Sequence, residues 1–229
     1  MKTIGLIGGI SWVSTADYYK YINEQINTRS GGAEYARCLI HSFNYADIQR
    51  NNAANDWTKT TQMLTAAGKN LINSGAELIV VCANTMHHVA DELQAAFRVP
   101  LIHVAVETAR EINKKKMNKV GLLGTRFTME LPFFKEKLAL QGIESLIPEE
   151  ADRIFIHRTI AEELGKGLLL SETRKKYVEI SEKLIARGAE GIILGCTEIP
   201  LLIKAGDVSK PVFDTTFIHA SAAVEAALA

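Results

Sequence analysis

The sequence predicts an α/β protein of two pseudosymmetric lobes, each a mostly parallel sheet flanked by helices, with the active site between them. Three observations lead there. Short, continuously apolar runs such as Leu78-Ile79-Val80-Val81 alternate with amphipathic stretches, as expected of strands buried on both faces of a parallel sheet. The alternation then begins again, because Lys119-Val120-Gly121-Leu122-Leu123-Gly124-Thr125 repeats the pattern of Lys2-Thr3-Ile4-Gly5-Leu6-Ile7-Gly8-Gly9. Two more anchors recur in the same order: Gly75-Ala76-Glu77 with Gly188-Ala189-Glu190, and Val99-Pro100-Leu101-Ile102 with Lys210-Pro211-Val212-Phe213. A period of roughly 110 residues lies far above solenoid repeats and indicates one internal duplication. The first lobe is expected over residues 1–100 plus 212–229, the second over 101–211.

Taken in order, Ile4 to Ile7 reads as a buried strand that ends at Gly8-Gly9-Ile10-Ser11. Ser14 or Thr15 suits the cap of a helix carrying Tyr18, Tyr19, Tyr21 and Ile22. Cys38 to Phe43 is the next strand, and the polar stretch through Asn55, which contains Arg50, is expected as loop. Thr58 to Ser74 is an amphipathic helix, followed by Gly75 and the strand that runs into Cys82. Asn84 and Thr85 suit an N-cap, with a helix from His87 to Phe97. Leu101 to Val104 is a short strand; Gly191 to Gly195 is the second-half strand that runs into Cys196. The Ala-rich segment from Ile218 to Leu228 is a helix expected to complete the first lobe.

The bulk composition removes several classes of function. Twenty-six basic residues balance 26 acidic ones, so no polyanionic partner such as nucleic acid is indicated. The run Lys114-Lys115-Lys116 fits the basic end of a helix. The first residues lack a signal-peptide core, and no stretch is apolar and long enough to span a bilayer. No membrane association is expected. Three cysteines cannot all pair, and a chain of 229 residues needs no disulfide scaffold, which predicts a reducing cytoplasmic location. The glycines after the first strand lack G-x-G-x-x-G spacing, and no P-loop lysine follows. They are read as letting backbone approach a small ligand. His87 and His88 are adjacent and diverge by about 100° on a helix. With no Cys-x-x-Cys or His-Glu-x-x-His, no metal is expected.

The chemistry concentrates at Cys82 and Cys196, each at the carboxyl end of a buried strand, where open α/β sheets bind ligands. A single cysteine there is most simply a small core hydrophobe. Two in matched positions, each followed by capping residues, point to function. Helix-start N–H groups, with Asn84, Thr85 and Thr197, can hold a carboxylate and favour a thiolate. A thiol with an unperturbed pKa of about 8.5 then needs only a modest downward shift for acid–base work. Two such groups on opposite sides of one molecule suit inversion at carbon. Glu198 beside Cys196 is read as tuning that thiol, or as a first-turn acid.

Gly8-Gly9-Ile10-Ser11-Trp12, Cys82-Ala83-Asn84-Thr85-Met86-His87, Gly195-Cys196-Thr197-Glu198-Ile199 and Asp214-Thr215-Thr216 together resemble the aspartate racemase branch of the aspartate/glutamate racemase superfamily. The resemblance covers essentially the whole chain. It implies a cofactor-independent racemase of a small acidic amino acid, aspartate first and glutamate second, working as a homodimer. By the same resemblance Cys82 and Cys196 are the opposed acid and base. Asn84, Thr85 and Thr197 match positions that hold the α-carboxylate or α-amino group, and Arg50 and Lys166 those that recognise the side-chain carboxylate. Gly9, Ile10, Ser11, Thr125 and Glu198 complete the candidate substrate contacts. Glutamate racemases proper carry Asp-Ser-Gly in the first loop and a His after the second Cys-Thr. Here Gly9-Ile10-Ser11 and Glu198 stand in those places, which points to the aspartate-type branch. The alternatives are a related reaction, such as hydantoin racemisation or maleate isomerisation, and a non-catalytic small-ligand-binding protein.

Overall fold

The computed structural model describes every residue from Met1 to Ala229. The first stretch of chain forms β1 (Ile4–Gly8), α1 (Trp12–Ser30), β2 (Cys38–Ser42), α2 (Tyr45–Ala53), α3 (Trp57–Asn73) and β3 (Leu78–Val81). A 3-10 turn (Asn84–Val89), α4 (Ala90–Ala96) and β4 (Leu101–Ile102) follow. Next come α5 (Val104–Lys114), β5 (Lys119–Gly124), α6 (Arg126–Glu130), α7 (Pro132–Ala139), β6 (Glu144–Leu146) and α8 (Glu150–Glu162). The chain ends with a 3-10 turn (Leu164–Lys166), α9 (Ser171–Ala186), β7 (Ile192–Gly195), α10 (Ile199–Leu202), β8 (Val212–Asp214) and α11 (Thr215–Leu228). No helix is long and apolar enough to cross a membrane.

The chain divides into two compact units, Met1–His103 with His219–Ala229, and Val104–Ile218. The junctions therefore fall after His103 and Ile218, where the sequence pattern placed them after residues 100 and 211. Each unit holds one four-stranded parallel sheet, in the order β2-β1-β3-β4 in the first and β6-β5-β7-β8 in the second. The duplication extends to single hydrogen bonds. Thr3 N–H donates to Glu77 Oε2 at 2.8 Å, and Lys119 N–H to Glu190 Oε2 at 3.2 Å. Glu77 N–H returns to the Thr3 carbonyl and Glu190 N–H to the Lys119 carbonyl, both at 2.8 Å. A Cβ at Gly5 would meet Ile79 and Leu71, and one at Gly121 would meet Ile192 and Leu184. These are the same strand–helix approaches made twice.

The first unit's sheet is covered on both faces. Ile7, Ile79 and Val81 pack with Ile48, Leu64, Leu71, Met86 and Leu93. Ile4, Leu6, Leu78, Val80 and Cys82 pack with Tyr18, Ile22, Ala220, Ala223, Val224 and Ala227. The last helix thus returns from the far end of the sequence to close the first core, as its small residues require: Ala220 and Ala223 are fully buried.

Several local expectations are corrected. Ser11, not Ser14 or Thr15, caps α1, accepting from Ser14 N–H. Asn84 and Thr85 cap no α-helix: Ala83 precedes a 3-10 turn that reaches Val89, and the α-helix begins only at Ala90. The polar stretch around Arg50 is helix α2, with Asn44 accepting from Ala46 N–H at its start. Val104 belongs to α5 rather than to the preceding strand, and α11 begins at Thr215, three residues earlier than expected.

Candidate functional site

In the first unit, β1 and β3 lie side by side with Ile7 paired to Val81, so the Gly9-Ile10-Ser11 loop and the Cys82-Ala83-Asn84-Thr85 segment leave adjacent strand ends. Backbone bonds fix Cys82: its N–H donates to the Ile7 carbonyl, and its carbonyl accepts from Ser14 Oγ, both at 2.9 Å. Gly9 N–H donates to Thr15 Oγ1, which in turn donates to the Ser11 carbonyl. The glycines are needed by the protein's own packing. Gly9 has φ +76°, and a Cβ there would lie 2.3 Å from the backbone of Phe43. Ile10 and Asn84 are buried, while Ser11 and Thr85 are half-buried. Arg50 is 75% exposed and paired with Asp47 on a helix whose Ile48 shares a core with Ile10 and Met86.

The Cys82 thiol is fully buried, and burial pushes its pKa up, with a further push from Cys38. This reverses the expected downward shift. The reason is local: a tight turn replaces the α-helical start, and desolvation penalises the charged sulfur. Nearby lies a histidine cluster that sequence patterning did not assemble. His87 faces the rings of His103 and His219 at centroid separations of 4.9 and 5.2 Å. His219 Nε2 donates to the Ile102 carbonyl at 2.8 Å, so its Nδ1 accepts the Tyr18 hydroxyl, also at 2.8 Å. His87 Nδ1 donates to the Ala83 carbonyl at 3.1 Å, next to Cys82. Of the three, only His103 directly follows a strand; His87 lies in the 3-10 turn after β3 and His219 in α11, so no local spacing signals the cluster.

In the second unit, β5 and β7 pair Gly124 with Gly195, which brings Thr125 beside the Cys196 segment. Thr125 caps α6 by accepting from Thr128 N–H. Cys196 is 9% exposed and has a different environment from Cys82. Its Sγ–H donates to Glu198 Oε2 at 2.9 Å, and the Thr197 hydroxyl donates to the same oxygen at 2.7 Å. Burial, then the Glu198 charge and its hydrogen bond, hold the Cys196 pKa well above the usual thiol value. The N–H groups of Glu198 and Thr197 oppose this by favouring the thiolate, but they are outweighed. Here too the expected depression is reversed, because burial and the adjacent carboxylate outweigh the backbone donors. Lys166 is exposed at the end of a 3-10 turn, and that turn is anchored by Leu164 in the core that also holds Cys196.

The family model described as Asp/Glu/hydantoin racemase matches residues 7–223. The chain superposes on a candidate Asp/Glu racemase from Yersinia pestis with a TM-score of 0.95 and 46% identity over all of both chains. It is similar over its full length to an aspartate racemase homologue from Pyrococcus horikoshii, with a TM-score of 0.88, 38% identity and all of that chain covered. A glutamate racemase from Aquifex pyrophilus is 32% identical over 160 residues, which are 69% of this chain and 59% of the relative's length.

Proposed function

This chain belongs to the Asp/Glu/hydantoin racemase family, and on that premise we propose that it interconverts L- and D-aspartate, with glutamate as second substrate. Cys82 and Cys196 are the paired acid and base, and no cofactor takes part. The observation that carries this reading is the pair of thiols at equivalent ends of equivalent strands, β3 and β7. Inversion at carbon needs one group to remove the α-proton and another to deliver a proton to the opposite face. Both thiols have raised pKa values, so each holds its proton at neutral pH and has one to deliver to a strongly basic carbanion. The harder task is making one of them a base.

Without a pyridoxal sink the developing carbanion is stabilised by hydrogen bonds to the substrate carboxylates. Thr197 narrows its own role. Its hydroxyl hydrogen already goes to Glu198, leaving lone pairs that accept from an α-ammonium group. The α-carboxylate is then left to Asn84, Thr85 and backbone N–H groups. Exposed Arg50 and Lys166 supply positive charge for the second carboxylate, which distinguishes an acidic amino acid from a neutral one.

The test is incubation in deuterated water with L-aspartate, L-glutamate, a 5-substituted hydantoin and maleate in parallel. Proton NMR reads loss of the α-proton, and chiral chromatography reads the enantiomers. The proposal predicts deuterium incorporation and racemic product with aspartate, and slower turnover with glutamate. Turnover confined to the hydantoin or maleate, or binding of aspartate without exchange, would overturn it.

A further inference from the structure

We propose that Ser14 is the positioning residue of Cys82, holding that residue's carbonyl so that its thiol keeps one orientation during proton transfer. The proposal rests on the two-thiol reading above and adds to it a side chain that touches no reacting atom. The β1–β3 ladder ends where Val81 pairs with Ile7, so Cys82 lies one residue past it. The Cys82 N–H still reaches the Ile7 carbonyl at 2.9 Å. Its carbonyl accepts from Ser14 Oγ, also at 2.9 Å, and both residues are buried. A residue has only two soft backbone torsions. With N–H and carbonyl both held, those of Cys82 are fixed, and with them the direction of the bond that leads to sulfur.

The destination of the Ser14 hydroxyl separates this role from ordinary helix chemistry. A serine or threonine inside a helix commonly turns back to the carbonyl four residues earlier, and Thr60, Thr108 and Ser181 do so here. Thr15, the next residue after Ser14, bonds the Ser11 carbonyl in the same way. Ser14 instead sends its hydrogen out of α1 to a residue 68 positions away. Its own N–H donates to Ser11 Oγ at 3.3 Å. One side chain thus joins the loop that carries Ile10 and Ser11 to the segment that carries Cys82. In the second unit a backbone group does this work, since the Cys196 carbonyl accepts from Ile199 N–H at 3.2 Å. Loss of the Ser14 hydroxyl therefore acts on one thiol and spares the other.

The test uses the full chain with Ser14→Ala, which removes the donor, and with Ser14→Thr, which keeps it. Cys82→Ser and Cys196→Ser first identify which enantiomer of aspartate each thiol deprotonates, from the α-proton that each variant still exchanges in deuterated water. In Ser14→Ala, exchange of the enantiomer served by Cys82 should fall by roughly 10-fold, through kcat more than KM. Exchange of the other enantiomer should stay near that of the unsubstituted protein, and Ser14→Thr should restore the lost rate. Cysteine labelled at Cβ gives carbon NMR signals from Cys38, Cys82 and Cys196, which report the thiols without any substrate. In Ser14→Ala the Cys82 signal should move and the Cys196 signal should not. An unmoved Cys82 signal overturns the proposal. So does an equal loss of exchange with both enantiomers, the mark of a general structural defect, or a moved signal with both exchange rates unchanged. If the unsubstituted protein exchanges no acidic amino acid, the functional reading fails, and the Cys82 signal then still decides whether Ser14 sets that thiol.

Discussion

Cys82 and Cys196 occupy equivalent positions in unlike surroundings, and that difference can be measured. One is fully buried in a mostly apolar cluster that includes Cys38, while the other is bonded to a carboxylate. The histidines give the first unit a specific pH response. Burial holds His87 at a pKa of about 4 and His219 at about 3, with His87 itself adding to the depression at His219. The unfolded chain takes up these protons near pH 6.5, whereas the folded chain does not. Stability that is fully present above pH 6.5 is therefore lost as pH falls toward 4, by on the order of 3 kcal/mol for His87. Trp12 and Trp57 both lie in the first unit, so urea unfolding followed by tryptophan fluorescence reads this loss. The midpoint should drop clearly between pH 7 and pH 4.5, and equal midpoints would contradict the assignment. At this scale the sequence showed both thiols, because each ends a matched apolar run, and Thr197 and Glu198, because they follow Cys196 directly. It did not show the Tyr18–His219–His87 cluster, because those contacts join residues more than 100 positions apart.

Among the elements, β7 illustrates how close strand packing constrains the residue before Cys196. A Cβ added at Gly195 would lie 2.5 Å from the Leu123 carbonyl oxygen of the adjacent strand. Backbone cannot yield as a flexible side chain does. Gly195→Ala should cost about 1–3 kcal/mol, lower the thermal midpoint read by circular dichroism and displace Cys196. An unchanged midpoint would show that the strands separate freely. The elements the sequence pattern missed have physical reasons in common. Helix α2 buries only Ile48 and Asn51, which leaves no apolar stripe to detect. Strand β6 has three residues and no fully buried side chain. Elements such as β3, with four consecutive buried residues, were legible because burial on both faces demands an unbroken apolar run.

At the level of the whole molecule, the duplication was readable because the repeated glycines and the Gly-Ala-Glu anchors perform repeated tasks. Their twin backbone bonds to Glu77 and Glu190 make this plain. The junctions were less legible, since a chain pattern shows repeated strands and not where cores end. The final helix ties sequence ends together, with Lys2 N–H bonded to the Ala227 carbonyl at 2.8 Å. Deleting residues 215–229 should therefore uncover Leu6, Val80 and Cys82 and make the first unit sensitive to limited proteolysis; resistance equal to that of the full chain would refute this role. We also propose a homodimer, which sedimentation should report as twice the 25.2 kDa chain mass. A single-chain mass at micromolar concentration would reject it.

The central claim is that two thiols divide the work of inverting one carbon. The most direct measurement is α-proton exchange in deuterated water with Cys82→Ser and Cys196→Ser, each supplied separately with L- and D-aspartate. Both variants should lose racemisation by at least about 10²-fold. Each should still exchange the α-proton of one enantiomer with retention, and the two variants should choose opposite enantiomers. Full racemisation by either variant, or exchange of the same enantiomer by both, would contradict the account.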